Sequence, residues 1–100
     1  MDKKKCHYSP DEIKRLVKAN RWVITLTAQR NAMQDFGLDT EGIKNVVVGL
    51  TNRDFYKSMT TLADSTLWQD VYLPLIGDRQ AYVKIQIANE SAVVIQFKGK

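Results

Sequence analysis

One hundred residues with 44% hydrophobic and 26% charged side chains fit one globular domain, 1–100, and leave no room for a separate regulatory module. No apolar run approaches the 18 or so residues of a membrane helix, a single cysteine (Cys6) can build neither an internal disulfide nor a zinc site, and the one histidine (His7) nearly excludes histidine triads. The net charge of +4 is uneven: residues 1–30 hold Lys3, Lys4, Lys5, Lys14, Arg15, Lys18, Arg21 and Arg30, eight of the 15 basic groups, against three acids, a bias suited to a polyanion or an acidic protein.

The N-terminal lysines are followed by Pro10, Asp11 and Glu12 rather than by an apolar stretch, so the chain reads as cytoplasmic rather than exported. Ser9-Pro10-Asp11-Glu12 has the residues of a capping box with a first-turn proline and predicts a helix start. Ile13, Leu16 and Val17 then form its buried stripe, and Lys14, Lys18 and Arg21 a basic face. Trp22–Leu26 predicts a short strand, Thr27 caps a helix through Phe36 that Gly37 stops, and Asp39 or Thr40 opens another from Glu41 to Val48. Ile43, Val46, Val47 and Leu50 are the apolar stripe of that third helix, and Asp35, Asp39 and Glu41 read as caps and solvated acids.

Beyond residue 50 the pattern becomes β: Phe55–Thr60, Trp68–Leu73, Gln80–Ala88 and Ala92–Lys98, separated by turn residues at 64–65, 77–79 and 89–91. Helices first and sequential strands after predict an α+β fold with a mostly antiparallel sheet and helices packed on it. In the last hairpin, alternation puts Val83, Ile85 and Ile87 on the core face with Val93, Ile95 and Phe97. Tyr82, Lys84 and Gln86 then share the opposite face with Val94, Gln96 and Lys98, and one register sets Tyr82 directly across from Lys98.

If Lys57 and Gln69 join that surface, the result is a ring of Lys57, Gln69, Tyr82 and Lys98. Lysines can stabilise charge on phosphorus oxygens, while glutamine and tyrosine orient groups or exchange protons, so such a ring suits a phosphodiester better than a metal. Asp54, Asp64 and Asp70 are too scattered for a two-metal nuclease, and no metal or other cofactor is expected. By residue type alone, the same groups also compose an ordinary exposed sheet face.

The runs Asp54-Phe55-Tyr56-Lys57-Ser58-Met59-Thr60-Thr61 and Trp68-Gln69-Asp70-Val71-Tyr72, with Tyr82-Val83-Lys84-Ile85 and Phe97-Lys98, resemble the MqsR family of motility and quorum-sensing regulator toxins. The resemblance implies a RelE-like microbial RNase fold and an mRNA interferase: a metal-independent endoribonuclease that cuts messenger RNA at short sites such as GCA or GCU by 2′-hydroxyl attack. It places catalytic function on Lys57, Gln69, Tyr82 and Lys98. It also implies an MqsA-like antitoxin as partner and contact with operator DNA through the antitoxin complex alone. Tyr56 and Trp68 are candidates to stack on RNA bases, and Lys84 and Arg79 to hold phosphates; the aromatics can equally pack, and the cations can equally be solvated surface. A non-catalytic nucleic-acid-binding regulator and a protein that docks a partner strand on its sheet edge are the competing readings.

Overall fold

In the computed structural model, which describes residues 1–100, β1 (Asp2–Lys3), α1 (Pro10–Lys18), β2 (Trp22–Ile24), α2 (Leu26–Phe36) and α3 (Thr40–Val48) precede a 3₁₀ turn at Asn52–Asp54. There follow β3 (Phe55–Thr60), β4 (Trp68–Tyr72), β5 (Leu75–Ile76), β6 (Arg79–Ala88) and β7 (Ser91–Gly99). The sheet order is β1-β3-β4-β6-β7-β2, with β5 paired to the start of β6. Every pairing is antiparallel except β2 with β7. The α+β class expected from the sequence is the one observed.

Local chemistry explains the helix ends. Ser9 Oγ accepts from the Glu12 amide at 3.4 Å and Asp39 Oδ1 from the Gly42 amide at 2.9 Å. Gly37 takes φ +66°, and its N–H closes the last turn of α2. The cap of α2 is Thr25 rather than Thr27. Its hydroxyl accepts from Ala28 N at 3.1 Å while donating to Ile95 O at 2.8 Å, so one side chain starts the helix and ties it to β7. Asn31 Nδ2 to Gln96 Oε1 (3.0 Å) and Gly99 N to Asp35 Oδ2 (2.8 Å) hold the rest of α2 along β7.

All three helices bury their stripes against one sheet face. Ile13, Leu16, Val17, Ala28, Ala32, Ile43 and Val47 join Tyr72, Val83, Ile85, Ala92, Val94 and Phe97 in one core. The other face carries no helix.

Two irregularities set which residues face which way. Val83 pairs with Phe97, but Ile85 pairs with Val94, so Ile95 is an extra residue in β7. Unbroken alternation puts Val93 and Ile95 in the core with Phe97. The bulge reverses the parity, and Ala92 and Val94 are the buried residues instead. The second lies in β3, where Phe55 pairs with Tyr72 and Lys57 with Val71, leaving Tyr56 unpaired.

On the helix side of β3 and β4 the N-terminal segment crosses beneath the sheet, anchored by the fully buried Asp70. Its carboxylate accepts from Ser58 Oγ (2.5 Å), Tyr8 N (2.9 Å) and His7 N (3.2 Å). A buried carboxylate is tolerated when its lone pairs are filled in this way. Asp70→Ala should therefore cost on the order of 2–4 kcal/mol, because two backbone N–H groups lose their acceptor. A lowered urea midpoint with faster amide exchange at His7 and Tyr8 is expected, and Asp70→Asn, which keeps one acceptor oxygen, should lose less. An unchanged midpoint for the alanine variant would mean that water replaces the carboxylate at no cost.

Candidate active site

The bulge at Tyr56 is what brings Lys57 onto the open face. In an unbroken strand Phe55 and Lys57 point the same way; here Phe55 packs edge-on against Tyr72, with ring centroids 5.6 Å apart, and Lys57 takes the opposite side. Lys57, Val71 and Lys84 lie in one line across β3, β4 and β6, and Met59 is opposite Gln69. Val71 is the one fully buried apolar side chain outside the core cluster, and it forms the floor of the site.

Tyr82 and Lys98 are direct cross-strand partners. The Nζ atoms of Lys98 and Lys84 stand 5.3 and 5.8 Å from the centre of the Tyr82 ring. Lys57 Nζ lies 5.4 Å and Lys4 Nζ 5.3 Å from the Tyr56 ring. Gln69, only 9% exposed, donates from Nε2 to Gln86 Oε1 at 2.9 Å. The four residues expected to act together, Lys57, Gln69, Tyr82 and Lys98, therefore share one surface with Lys84 and Tyr56.

Two others do not join them. Trp68 neighbours Gln69 in the chain, so alternation turns it to the far side, where His7 stacks on it at 5.5 Å and Lys3 Nζ lies 4.1 Å from its ring centre. Arg79 donates to the carbonyl of Asp35 at the end of α2 and covers the Phe36 ring at 4.8 Å. The basic face of α1 also lies across the sheet from the site, since the stripe of α1 is part of the core.

The site groups titrate differently. Burial is the main cause that pushes the Lys84 ammonium below the usual lysine range, with repulsion from Lys98 and then Lys57 adding to it. Lys57 moves the other way, because the Asp2 carboxylate sits 3.2 Å from its Nζ. Burial raises the Tyr82 hydroxyl, a shift that the Lys57 cation opposes. At neutral pH Tyr82 is thus a protonated donor, and Lys84 is the lysine that gives up its proton most readily.

Beside these groups lies a groove of about 670 Å³ lined by Met1, Asp2, Met59, Leu62, Gln69 and Lys84, among others. A second groove of about 470 Å³, between α3 and β5, is remote from the lysines. No three His, Cys, Asp or Glu side chains converge as a metal site would require.

Over residues 5–99 the chain matches the family described as "Motility quorum-sensing regulator, toxin of MqsA". The chain belongs to that family. It is 42% identical to the mRNA interferase toxin MqsR of Escherichia coli (strain K12), over the full length of both chains.

Lys84 and Gln86 are more central than their residue types suggested, although strand alternation already puts them beside Tyr82. Asp2 and Lys4 were invisible in the sequence: they reach the site through β1, a two-residue edge strand with no pattern of its own. The order of titration is testable. In a ¹³C- or ¹⁵N-detected titration Lys84 should lose its proton at lower pH than Lys57. Lys98→Ala should raise the Lys84 midpoint without restoring the ordinary value, because burial, the larger cause, remains. A Lys84 midpoint that does not move would show that Lys98 does not act on it.

Proposed function

We propose that this protein is an endoribonuclease toxin, an mRNA interferase that acts in the cytoplasm as one catalytic domain and is held inactive by a cognate antitoxin of the MqsA kind. The observation that carries the reading is the convergence of Lys57, Lys84, Lys98, Tyr82 and Gln69 on the one sheet face that no helix covers. Contact with operator DNA would come through the antitoxin, as the family resemblance implies. No helix is long and apolar enough to cross a membrane, which agrees with a substrate met in solution.

The chemistry follows from the charges. The ribose 2′-hydroxyl attacks the adjacent phosphorus, the P–O5′ bond breaks, and the products are a 2′,3′-cyclic phosphate and a 5′-hydroxyl. Lys57, kept cationic by Asp2, and Lys98 stabilise the negative charge that gathers on the phosphorane oxygens. The deprotonated form of Lys84, which burial and then the neighbouring lysines favour, accepts the 2′-hydroxyl proton, and Tyr82 gives its own proton to the departing 5′-oxygen. Proton transfer from Lys84 back to Tyr82, whose ring it adjoins, resets the pair. Gln69, fixed by Gln86, orients the nucleotide. Tyr56, 43% exposed at the rim, offers a face on which a base can stack.

Lys57→Ala and Lys98→Ala should each slow RNA cleavage by roughly 10²- to 10³-fold, the usual effect of removing one preorganised contact to developing charge. Full activity in either variant would remove that residue from the site. Activity should survive excess EDTA. A single 2′-deoxy substitution immediately 5′ to the scissile phosphate should abolish cleavage while binding persists, and the same change several nucleotides away should have little effect. Normal cleavage of the substituted RNA would mean that water attacks. RNA retarded on a gel but never cut would favour a non-catalytic regulator.

A further inference from the structure

The groove beside the lysines extends past Gln69 and Lys84 to side chains that the cleavage step does not use. Its lining combines apolar side chains, Met59 from β3, Leu62 and Ala63 from the loop after it and Met1 from the N-terminus, with Asp2, Thr60 and Thr61. Its floor is the buried Gln69 amide, and Lys84 stands at the end that opens on the phosphate-binding groups. Gln69 is two residues from Val71 along β4, so the amide lies about 6–7 Å from the floor of the lysine cluster, a step comparable to that from a phosphate to its own base.

Gln69 Nε2 is spent on Gln86 Oε1, which fixes both amides. This leaves Gln69 Oε1 as an acceptor on the groove lining, held in place from behind by Gln86. Apolar side chains beside one fixed amide suit the faces and the hydrogen-bonding edge of a nucleobase. A second phosphate would not choose such a lining, and an apolar side chain would leave Gln69 Oε1 unpaired.

We propose that this groove is a nucleobase subsite, in which Gln69, fixed by Gln86, reads the edge of one base next to the scissile phosphate and Met59 and Leu62 lie against its faces. Gln86 is thus a positioning residue for base specificity. The inference rests on the nuclease reading for the position of the phosphate, but base preference is also measurable without cleavage.

The test uses a set of short RNAs with a 2′-deoxy nucleotide 5′ to the cut, so that they bind uncut, and with each base in turn at the flanking positions. Their dissociation constants are measured by fluorescence anisotropy for wild type and for Gln86→Leu. Cleavage ends on the matching all-ribose RNAs are mapped in parallel. Wild type should prefer one base at one position by at least about tenfold, and Gln86→Leu should lose most of that preference there while keeping the preferences elsewhere. Leu62→Ala, at a fully exposed position that does not contribute to the core, should weaken binding of every base at that position and leave the others unchanged.

An unaltered base preference in Gln86→Leu would overturn the proposal, as would an equal loss of affinity for every RNA in the set, the signature of a merely structural role. Wild type that shows the Gln86-dependent preference yet cuts no RNA would retain the subsite and overturn the nuclease reading instead.

Discussion

One extra residue in β3 determines which side of the sheet Lys57 serves. With side chains alternating at period two, a strand that commits Phe55 to the core also commits Lys57 to it, and a lysine there would lie under the helices without a partner. The bulge at Tyr56 lets the same strand satisfy both demands, Phe55 against Tyr72 within the core and Lys57 across Val71 on the open face. The displaced residue is itself exposed at the rim of the site. Bulges recur beside active sites because they re-aim a side chain without a new element, and this one adds an aromatic face at the same place.

The bulge at Ile95 does the corresponding work for β7. Beyond it Ala92 and Val94 fill the core; on its near side Phe97 faces the core and Lys98 faces Tyr82. Scaffold and chemistry are thus divided between the two faces of one sheet. The Asp70 anchor extends the division to the N-terminus. By holding His7 and Tyr8 under β3 and β4, it constrains the residues before them to pass along the edge of β3, where Asp2 meets Lys57 and Lys4 approaches Tyr56.

Much of this was legible in the sequence because it rests on local rules. Ser9, Asp39, Gly37 and the stripe of α1 act as capping and periodicity require, and the facing of Tyr82 and Lys98 follows from parity near the end of the last hairpin. What escaped depends on long-range geometry. No residue type marks an insertion of one at Ile95, so unbroken alternation puts Val93 and Ile95 in the core in place of Ala92 and Val94. Thr25 rather than Thr27 caps α2 because its hydroxyl also bonds the Ile95 carbonyl, a partner 70 residues away. Trp68 suggested base stacking by its type, but its place next to Gln69 already committed it to the other face. Arg79 is engaged by the end of α2, which the sequence could not bring near it.

Three lysines on one face, two of them partly buried, are a poor arrangement for a resting protein. Burial and, after it, repulsion from Lys98 and Lys57 lower the affinity of Lys84 for its proton, and Asp2 is the one carboxylate that answers the lysines directly, at Lys57. The same arrangement favours the transition state over the ground state. A phosphodiester brings one negative charge, whereas the phosphorane formed by 2′-hydroxyl attack concentrates more charge on its oxygens, so fixed cations gain more from the second than from the first. Crowding also contributes to the base, since repulsion from Lys98 and Lys57 adds to burial in shifting Lys84 toward its deprotonated form. A site without histidine can in this way assemble an acid–base pair: burial, and after it the charges of neighbouring lysines, shifts Lys84 toward the form that accepts a proton, while Tyr82 keeps its own to give.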